Sequence, residues 1–175
     1  MLFILFQLGS DRYALPARDV AEVLPLISVK AFPGAPAGVA GLVDYRGTAV
    51  PVIDLSLLAL GRPAARRVST RLLMVRYPLP RGGERLLGVI AERATEMIAK
   101  EPADFHPTGV TGETTRFLGS IAHDPRGMIQ RVDVPALLTD RLRAALFAES
   151  DGGLPSRPAA AQPPRHGAAV IRSAS

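Results

Sequence analysis

The clearest structural signal in this chain is the stretch Arg46-Gly47-Thr48-Ala49-Val50-Pro51-Val52-Ile53-Asp54-Leu55. Its glycine suits a tight turn that needs positive φ, and the apolar run after it is typical of a buried strand. Asp54 precedes a leucine-rich segment, where a carboxylate can accept hydrogen bonds from the free amides of a helix's first turn. The stretch therefore predicts a hairpin, then a short helix that Gly61 and Pro63 end.

A second segment repeats this order of features. Gly127 begins another short strand, which ends at Asp133 and is followed by Pro135 and a leucine-bearing helix expected over residues 136–147. Turn glycine, strand, capping aspartate and helix thus occur twice, although the spacing differs by one residue. The repetition predicts two lobes of similar construction.

The rest of the chain also has the patterns of short strands. Residues 2–8 are apolar on both alternating faces, so we expect a strand that is covered on both sides. Further β-type runs are 39–45, 48–53, 71–77, 85–91, 94–99, 117–122 and 128–132. Residues 17–24 place Val20, Val23 and Leu24 at helical spacing, which predicts a short helix or helical turn. The fold class is therefore mainly β with short helices, one of them near the C-terminus.

The composition indicates one globular unit without a membrane segment. Of the 175 residues 47% are hydrophobic, which suits a single domain, expected over residues 1–148. Residues 149–175 are rich in proline, alanine and arginine and are expected to be a disordered tail. Every apolar run is too short to span a bilayer, so no direct membrane insertion is expected. Cysteine is absent, and cytoplasmic residence is the default expectation.

The formal net charge of +5 raises nucleic acid as a partner. The arginines are scattered along the sequence, and the aromatic content of 5% supplies no stacking platform. We therefore expect no nucleic-acid partner. A basic SH3- or OB-like nucleic-acid-binding module is the alternative function, and it requires the arginines to converge on one face.

Residue patterns of catalysis are missing from the sequence. The three histidines are isolated and have no metal-ligand spacing: His106, His123 and His166. Neither a Gly-x-Ser-x-Gly elbow nor a phosphate-cradling glycine pattern is present. Four carboxylates form a loose acidic group, which is typical of a solvated edge: Glu92, Glu96, Glu101 and Asp104. We expect no catalytic residue, no metal, no cofactor and no enzymatic activity.

Two charged residues stand beside apolar neighbours. Glu22 lies among Val20, Val23 and Leu24, and Arg46 occupies a hairpin tip. Arg46 is either a solvated turn residue or an interface hot spot, because arginine next to exposed apolar side chains is typical of protein interfaces.

With these motifs in order, the chain resembles the CheW family of chemosensory coupling proteins over residues 3–138. The resemblance depends on Phe6-Gln-Leu-Gly9, Tyr13-Ala-Leu-Pro16, Val20-Ala-Glu-Val-Leu24, Pro36-Ala-Gly-Val-Ala-Gly-Leu42, and above all the stretch 46–55. Leu87-Gly-Val-Ile90 and Phe117-Leu-Gly119 add to it. Each motif is weak, whereas their order and spacing together are specific.

The resemblance implies two SH3-like five-stranded β-barrel subdomains on a shared apolar core. It implies a non-catalytic scaffold that couples methyl-accepting chemotaxis receptors to the regulatory domain of a CheA-type histidine kinase, and recruitment to membrane-bound receptor arrays. By position, the receptor-facing residues would be Arg46 with Gly47, the acidic Glu22 nearby, and three apolar contacts: Val20, Val39 and Leu42.

The chain departs from the family pattern in three places. Asp44-Tyr45 stands where the family often has Asn-Leu, Gln130-Arg131 interrupts a usually apolar hairpin, and the tail is an addition. Such departures suit a surface-sensing or pilus-type, non-flagellar chemosensory system.

Overall fold

The computed structural model describes residues 1–31, 33–109 and 116–147, and this part of the chain contains nine strands. The strands are β1 (Leu2–Leu8), β2 (Asp11–Pro16), β3 (Val20–Pro25), β4 (Val39–Tyr45), β5 (Thr48–Asp54), β6 (Arg71–Pro78), β7 (Glu84–Ala99), β8 (Leu118–Asp124) and β9 (Gly127–Val132). Two short helices are α1 (Leu55–Leu60) and α2 (Asp140–Leu146). The expected tail at 149–175 lies outside the described residues. Within them, no helix combines the length and apolar character that crossing a bilayer requires.

The strands form two five-stranded lobes that share β7. Lobe 1 contains β1, β2, β8, β9 and residues 92–99 of β7, whereas lobe 2 contains β3, β4, β5, β6 and residues 84–91 of β7. In lobe 2 the order is β3-β6-β7-β5-β4, and in lobe 1 it is β7-β1-β2-β9-β8. The third and fourth strands of each order pair in parallel, and all other pairs are antiparallel. The predicted similarity of the two lobes is thus present at the level of strand pairing.

Each lobe is closed by an equivalent bridge. In lobe 2, Lys30 exchanges two backbone hydrogen bonds of 2.8 and 2.9 Å with Leu42 of β4. In lobe 1, His106 exchanges two of 2.8 and 2.9 Å with Ile121 of β8. Gly41 permits the first closure, because a Cβ at this position would overlap the Lys30 carbonyl. In each lobe, the bridge joins the segment that follows the first strand of the order, β3 or β7, to the last strand, β4 or β8.

Three apolar clusters fill the fold. One lies inside lobe 2 around Val52, Leu72 and Met74, and one lies inside lobe 1 around Phe3 and Ile129. The largest lies between the lobes and takes side chains from both, as well as from the C-terminal helix. The expected fold class, two SH3-like barrels on a shared apolar core, is confirmed.

Strand β1 is buried on both faces, as its sequence predicts. Ile4, Phe6 and Leu8 point into the layer between the lobes, while Phe3 and Leu5 point into lobe 1. Burying a large apolar side chain contributes roughly 1.5–3 kcal/mol. This strand therefore joins the interior of one barrel to the interface between both.

Of the short helix or helical turn predicted over 17–24, only a turn at the start of the segment is present. A single 3-10 turn covers Ala17–Asp19, after which the chain continues as β3. Val23 pairs with Leu73 of β6, so β-branched side chains in this segment complete a sheet edge. Tertiary pairing outweighs the weak helical spacing of three apolar residues.

The C-terminal helix is shorter than predicted, and Asp133 does not cap it. Residues Val134–Ala136 form a 3-10 turn in which the Asp133 side chain makes no capping bond. The helix α2 begins only at Asp140, because the Thr139 hydroxyl accepts the Leu142 amide at 3.2 Å. The local order of residues is repeated in the two lobes, but the helix start is not.

Asp54, in contrast, caps its helix as predicted. Its Oδ1 accepts the amides of Ser56 and Leu57 at 2.9 and 3.1 Å, and its Oδ2 accepts the amide of Ala64 at 2.8 Å. Gly61 at φ 68° ends the helix. One buried carboxylate thus fixes both the start of α1 and the return of the chain behind it.

Asp54→Ala is expected to lower the free energy of unfolding by about 2–4 kcal/mol, because it removes the helix cap and leaves a buried amide unpaired. Urea unfolding followed by circular dichroism measures this loss. Asp133→Ala is the matched control, with an expected change of less than about 0.5 kcal/mol. Equal losses in the two variants would contradict the assignment.

An ion pair fastens the tip of the β8–β9 hairpin to β2. Arg12 donates from Nη1 and Nη2 to the two carboxylate oxygens of Asp124 at 2.7 and 2.6 Å, and both side chains are 14% exposed. The Arg126 amide also donates to Asp124, at 2.8 Å. The Arg12 bonds, together with this amide, lower the pKa of Asp124 to about 2.

Asp124→Asn is expected to destabilise the protein in a pH-dependent way. Because the pKa of Asp124 is depressed on folding, its stabilisation is fully present above the unfolded pKa and is lost as the pH falls toward about 2. The difference in unfolding free energy between wild type and variant should therefore be constant above about pH 5 and shrink below it. Urea titrations at several pH values measure it. Asp140→Asn, at an exposed pair with Arg143, is the control; a wild-type–variant difference that persists unchanged at pH 2.5 would refute the role of Asp124.

Candidate partner-binding site

The tip of the β4–β5 hairpin is a two-residue turn with an unusual occupant. Arg46 and Gly47 both have positive φ, 54° and 82°. The Gly47 amide donates to the Asp44 side chain at 2.8 Å, which holds the turn. Turns of this kind favour asparagine or glycine at both central positions, and an arginine there is strained.

Arg46 is held by two neighbours on lobe 2. Its Nη2 donates to Glu22 Oε2 at 2.9 Å, and its guanidinium carbon lies 5.0 Å from the ring centre of Tyr45. The Tyr45 hydroxyl donates to the same Glu22 oxygen at 2.5 Å. This hydrogen bond to Glu22 raises the pKa of Tyr45 above its ordinary value. We call Glu22, Tyr45 and Arg46 the hairpin triad.

The triad presents positive charge to solvent. The Arg46 side chain is 74% exposed and that of Glu22 is 34% exposed. An exposed ion pair contributes about 0–1 kcal/mol, so this one cannot be explained by stability. The pair positions the guanidinium rather than burying it.

The structure brings Glu22, Arg46 and Gly47 together, as the sequence predicts. The three predicted apolar contacts differ in how far their side chains are exposed. Val20 and Leu42 are half-buried. Val39 is only 7% exposed and belongs to the layer between the lobes. Val39 therefore supports the base of the hairpin and presents almost no surface to a partner.

Sequence reasoning missed several residues at this site. Asp44 and Tyr45 were noted only as departures from the family pattern, yet one holds the turn and the other holds Glu22. Val23, next to Glu22 in β3, is 43% exposed, more than any predicted apolar contact. The sequence could have predicted the role of Asp44, since an aspartate before a turn commonly accepts a backbone amide.

The loose acidic group is not one solvated edge. Glu92 is half-buried beside α1, where its Oε1 accepts from the Ser56 hydroxyl and the Ala65 amide, both at 3.1 Å, and from Arg62 at 3.2 Å. Burial pushes the pKa of Glu92 upward, but these bonds outweigh it and lower the pKa. Glu96 instead pairs with Arg126 at 2.6 Å. In the described part of the chain, no group of three or more potential ligands is placed to hold a metal.

Comparisons with known proteins agree with this architecture. The CheW-like domain family model matches residues 2–142. The chemotaxis protein CheW of Helicobacter pylori is 29% identical over 109 residues, covering 62% of this chain and 63% of that protein. The chemotaxis protein CheW of Klebsiella aerogenes is 22% identical over 139 residues, covering 78% and 81%. The crystal structure of the scaffolding protein TtCheW from Thermoanaerobacter tengcongensis matches with a TM-score of 0.69 and 26% identity, covering 81% of this chain and 89% of that one.

Two barrels that share one long strand are the architecture of a CheW-like domain. The chain belongs to the CheW family, whose members are scaffolds of chemotaxis signalling. For the H. pylori relative, the match spans slightly less than two thirds of its length.

Arg46→Asn is expected to leave the free energy of unfolding unchanged or raise it by about 0.5 kcal/mol. Relief of the left-handed backbone offsets the loss of an exposed ion pair. Thermal and urea unfolding measure the change. Arg46→Val is the contrasting variant and should cost more than about 1 kcal/mol, because a β-branched residue fits positive φ poorly. A loss of comparable size in Arg46→Asn would indicate that the arginine is structural.

Proposed function

We propose that this protein couples a methyl-accepting chemotaxis receptor to the regulatory domain of a CheA-type histidine kinase, and that the hairpin triad is the receptor-facing site. The observation that carries the proposal is Arg46 itself: an exposed arginine at a strained turn position that stability does not favour. Residues kept in strained conformations cluster at functional sites. In a family of chemotaxis scaffolds, that function is partner binding.

The surroundings of Arg46 fit a small docking surface. Gly47 leaves the tip open, and three partly exposed apolar residues lie on the strands that carry the triad: Val20 and Val23 on β3 with Glu22, and Leu42 on β4 with Tyr45. Interfaces typically place an arginine among apolar contacts, with ordinary polar residues around them. A helical receptor segment with an acidic residue opposite Arg46 would match this chemistry.

The two lobes offer separate surfaces for two partners. Leu2 and Met97 lie on adjacent strands of lobe 1, on one face according to the β1–β7 register, and are 53% and 55% exposed. Lobe 2 carries the triad. Simultaneous binding would hold receptor and kinase in a defined geometry, so that the receptor's state changes kinase activity without any reaction on this chain.

The affinity of each contact is expected to be modest. Small hairpin and strand surfaces belong to the low end of interface sizes, and multiple contacts in an array strengthen them. The proposal includes a cytoplasmic protein recruited to membrane-bound receptor arrays. The departures at Asp44-Tyr45 and Gln130-Arg131 favour a surface-sensing or pilus-type pathway.

Arg46→Glu is expected to abolish co-sedimentation with membranes that contain the cognate receptor, because it places a carboxylate where the partner meets a guanidinium. Far-ultraviolet circular dichroism and the melting temperature should stay close to wild type. Arg141→Glu, at an exposed position of α2, is the charge-matched control and should bind normally. Receptor binding that survives in Arg46→Glu would sink the site assignment.

A charge swap separates positioning from contact. In the double variant Glu22→Arg/Arg46→Glu, the internal ion pair can form again with its signs reversed. If Arg46 contacts the receptor directly, binding stays lost in the double variant. Restored binding would mean that the ion pair only shapes the hairpin, and would contradict direct contact.

A further inference from the structure

A recess of about 530 Å³ lies where β7 passes from one lobe to the other. Its polar lining comes from lobe 1 and from the segment before β6. The residues that matter for its chemistry are Arg12, Arg67, Ser69, Arg93, Thr95 and Arg126. It shares no lining residue with the hairpin triad, so it is a separate feature of the molecule.

A bulge in β7 creates the recess. Leu5 pairs with Glu96 and Gln7 pairs with Glu92, so one residue of β1 faces the three residues 93–95 of β7. Within this bulge Arg93 has φ 52°, and Arg46 is the other described non-glycine residue with positive φ. Bulges redirect side chains, and they are common beside functional sites. Here the bulge places Arg93 and Thr95 in the wall of the recess.

The recess carries unbalanced positive charge. Arg12 is paired with Asp124, and Arg126 is paired with Glu96 at 2.6 Å. Among residues 1–31, 33–109 and 116–147, no carboxylate forms an ion pair with Arg67 or Arg93. Of the four arginines at the recess, two are neutralised by Asp124 and Glu96. The guanidinium charges of the other two are not balanced by an ion pair. Like charges gathered in one concavity repel each other unless an anion lies between them.

We propose that this recess binds a small phosphorylated molecule that carries at least two negative charges. Guanidinium groups match phosphate oxygens with two parallel hydrogen bonds, and the side chains of Ser69 and Thr95 add hydroxyl donors. The two existing ion pairs hold Arg12 and Arg126 in place, which leaves Arg67 and Arg93 to meet the ligand. The recess falls within the usual size range of small-molecule sites.

The lining disfavours a peptide or a nucleic acid. Leu5 and Phe6 are 5% and 1% exposed, so the apolar lining gives a peptide side chain nothing to enter. The same burial removes Phe6 as a surface on which bases could stack. The arginines do converge, as a basic nucleic-acid module requires, but on a recess rather than along an extended track.

The test is calorimetric titration of the full chain with pyrophosphate, tripolyphosphate and ATP at low salt. Citrate supplies the same kind of charge on carboxylates, and a single-stranded oligonucleotide tests the nucleic-acid reading. The recess variant is Arg67→Gln/Arg93→Asn. Both substitutions remove a positive charge, and asparagine is used at position 93 because it tolerates positive φ. The charge-matched control is Arg66→Gln/Arg141→Gln, which removes two exposed arginines outside the recess.

We expect saturable binding of pyrophosphate with one site per chain. The affinity should fall at least about tenfold in the recess variant and less than about twofold in the control. ATP binding tighter than tripolyphosphate would identify a nucleotide, and tripolyphosphate binding tighter than ATP would identify an inorganic ligand; both support the proposal. Equal weakening in both variants would mean diffuse charge attraction and would overturn it. Equal binding of citrate, an absence of saturable phosphate binding, or preference for the oligonucleotide would also overturn it.

Discussion

The burial of β1 and β7 between two barrels is the constraint on which the rest of the structure depends. β7 pairs with β6 in one lobe and with β1 in the other, so its sixteen residues set the register of both sheets. β1 contributes to the interior of lobe 1 with one face and to the layer between the lobes with the other. A change of one residue in either register would turn apolar side chains toward water. The lobes are therefore one cooperative unit, and the surfaces outside them can vary.

This division between a rigid interior and a variable surface explains where strain is tolerated. Arg46 and Arg93 both have positive φ, and both lie at the surface. Each strained residue lowers the free energy of unfolding by about 1 kcal/mol or more, and burial of the apolar layers offsets this loss. At Arg46 the strained backbone presents a guanidinium on a hairpin tip. At Arg93 a bulge forms where β7 passes from one lobe to the other, and a basic recess opens between lobe 1 and the segment before β6.

Short sequence patterns predicted the elements that depend mainly on interactions between residues close together in the chain. Alternating apolar residues located the hairpins and the doubly covered first strand, and the position of Asp54 before a leucine run identified the cap of α1. Of the short helix or helical turn expected at 17–24 only the first turn forms, because Val23 and Leu24 pair with β6, nearly fifty residues away. The position of Asp133 in the sequence resembles that of Asp54, but the residues after it form a 3-10 turn, and its side chain accepts no amide from that turn.

The sequence by itself determined the mainly β class, the repetition of a hairpin unit, the family resemblance and the exposed Arg46, because each depends on residue order and turn chemistry. Only the tertiary structure decided that Tyr45 joins Glu22 and Arg46, that Val39 is buried, and that four distant arginines line one recess. These contacts join strands of different hairpins, and their geometry follows from how two barrels share β7. The spacing of residues along the chain does not contain that information.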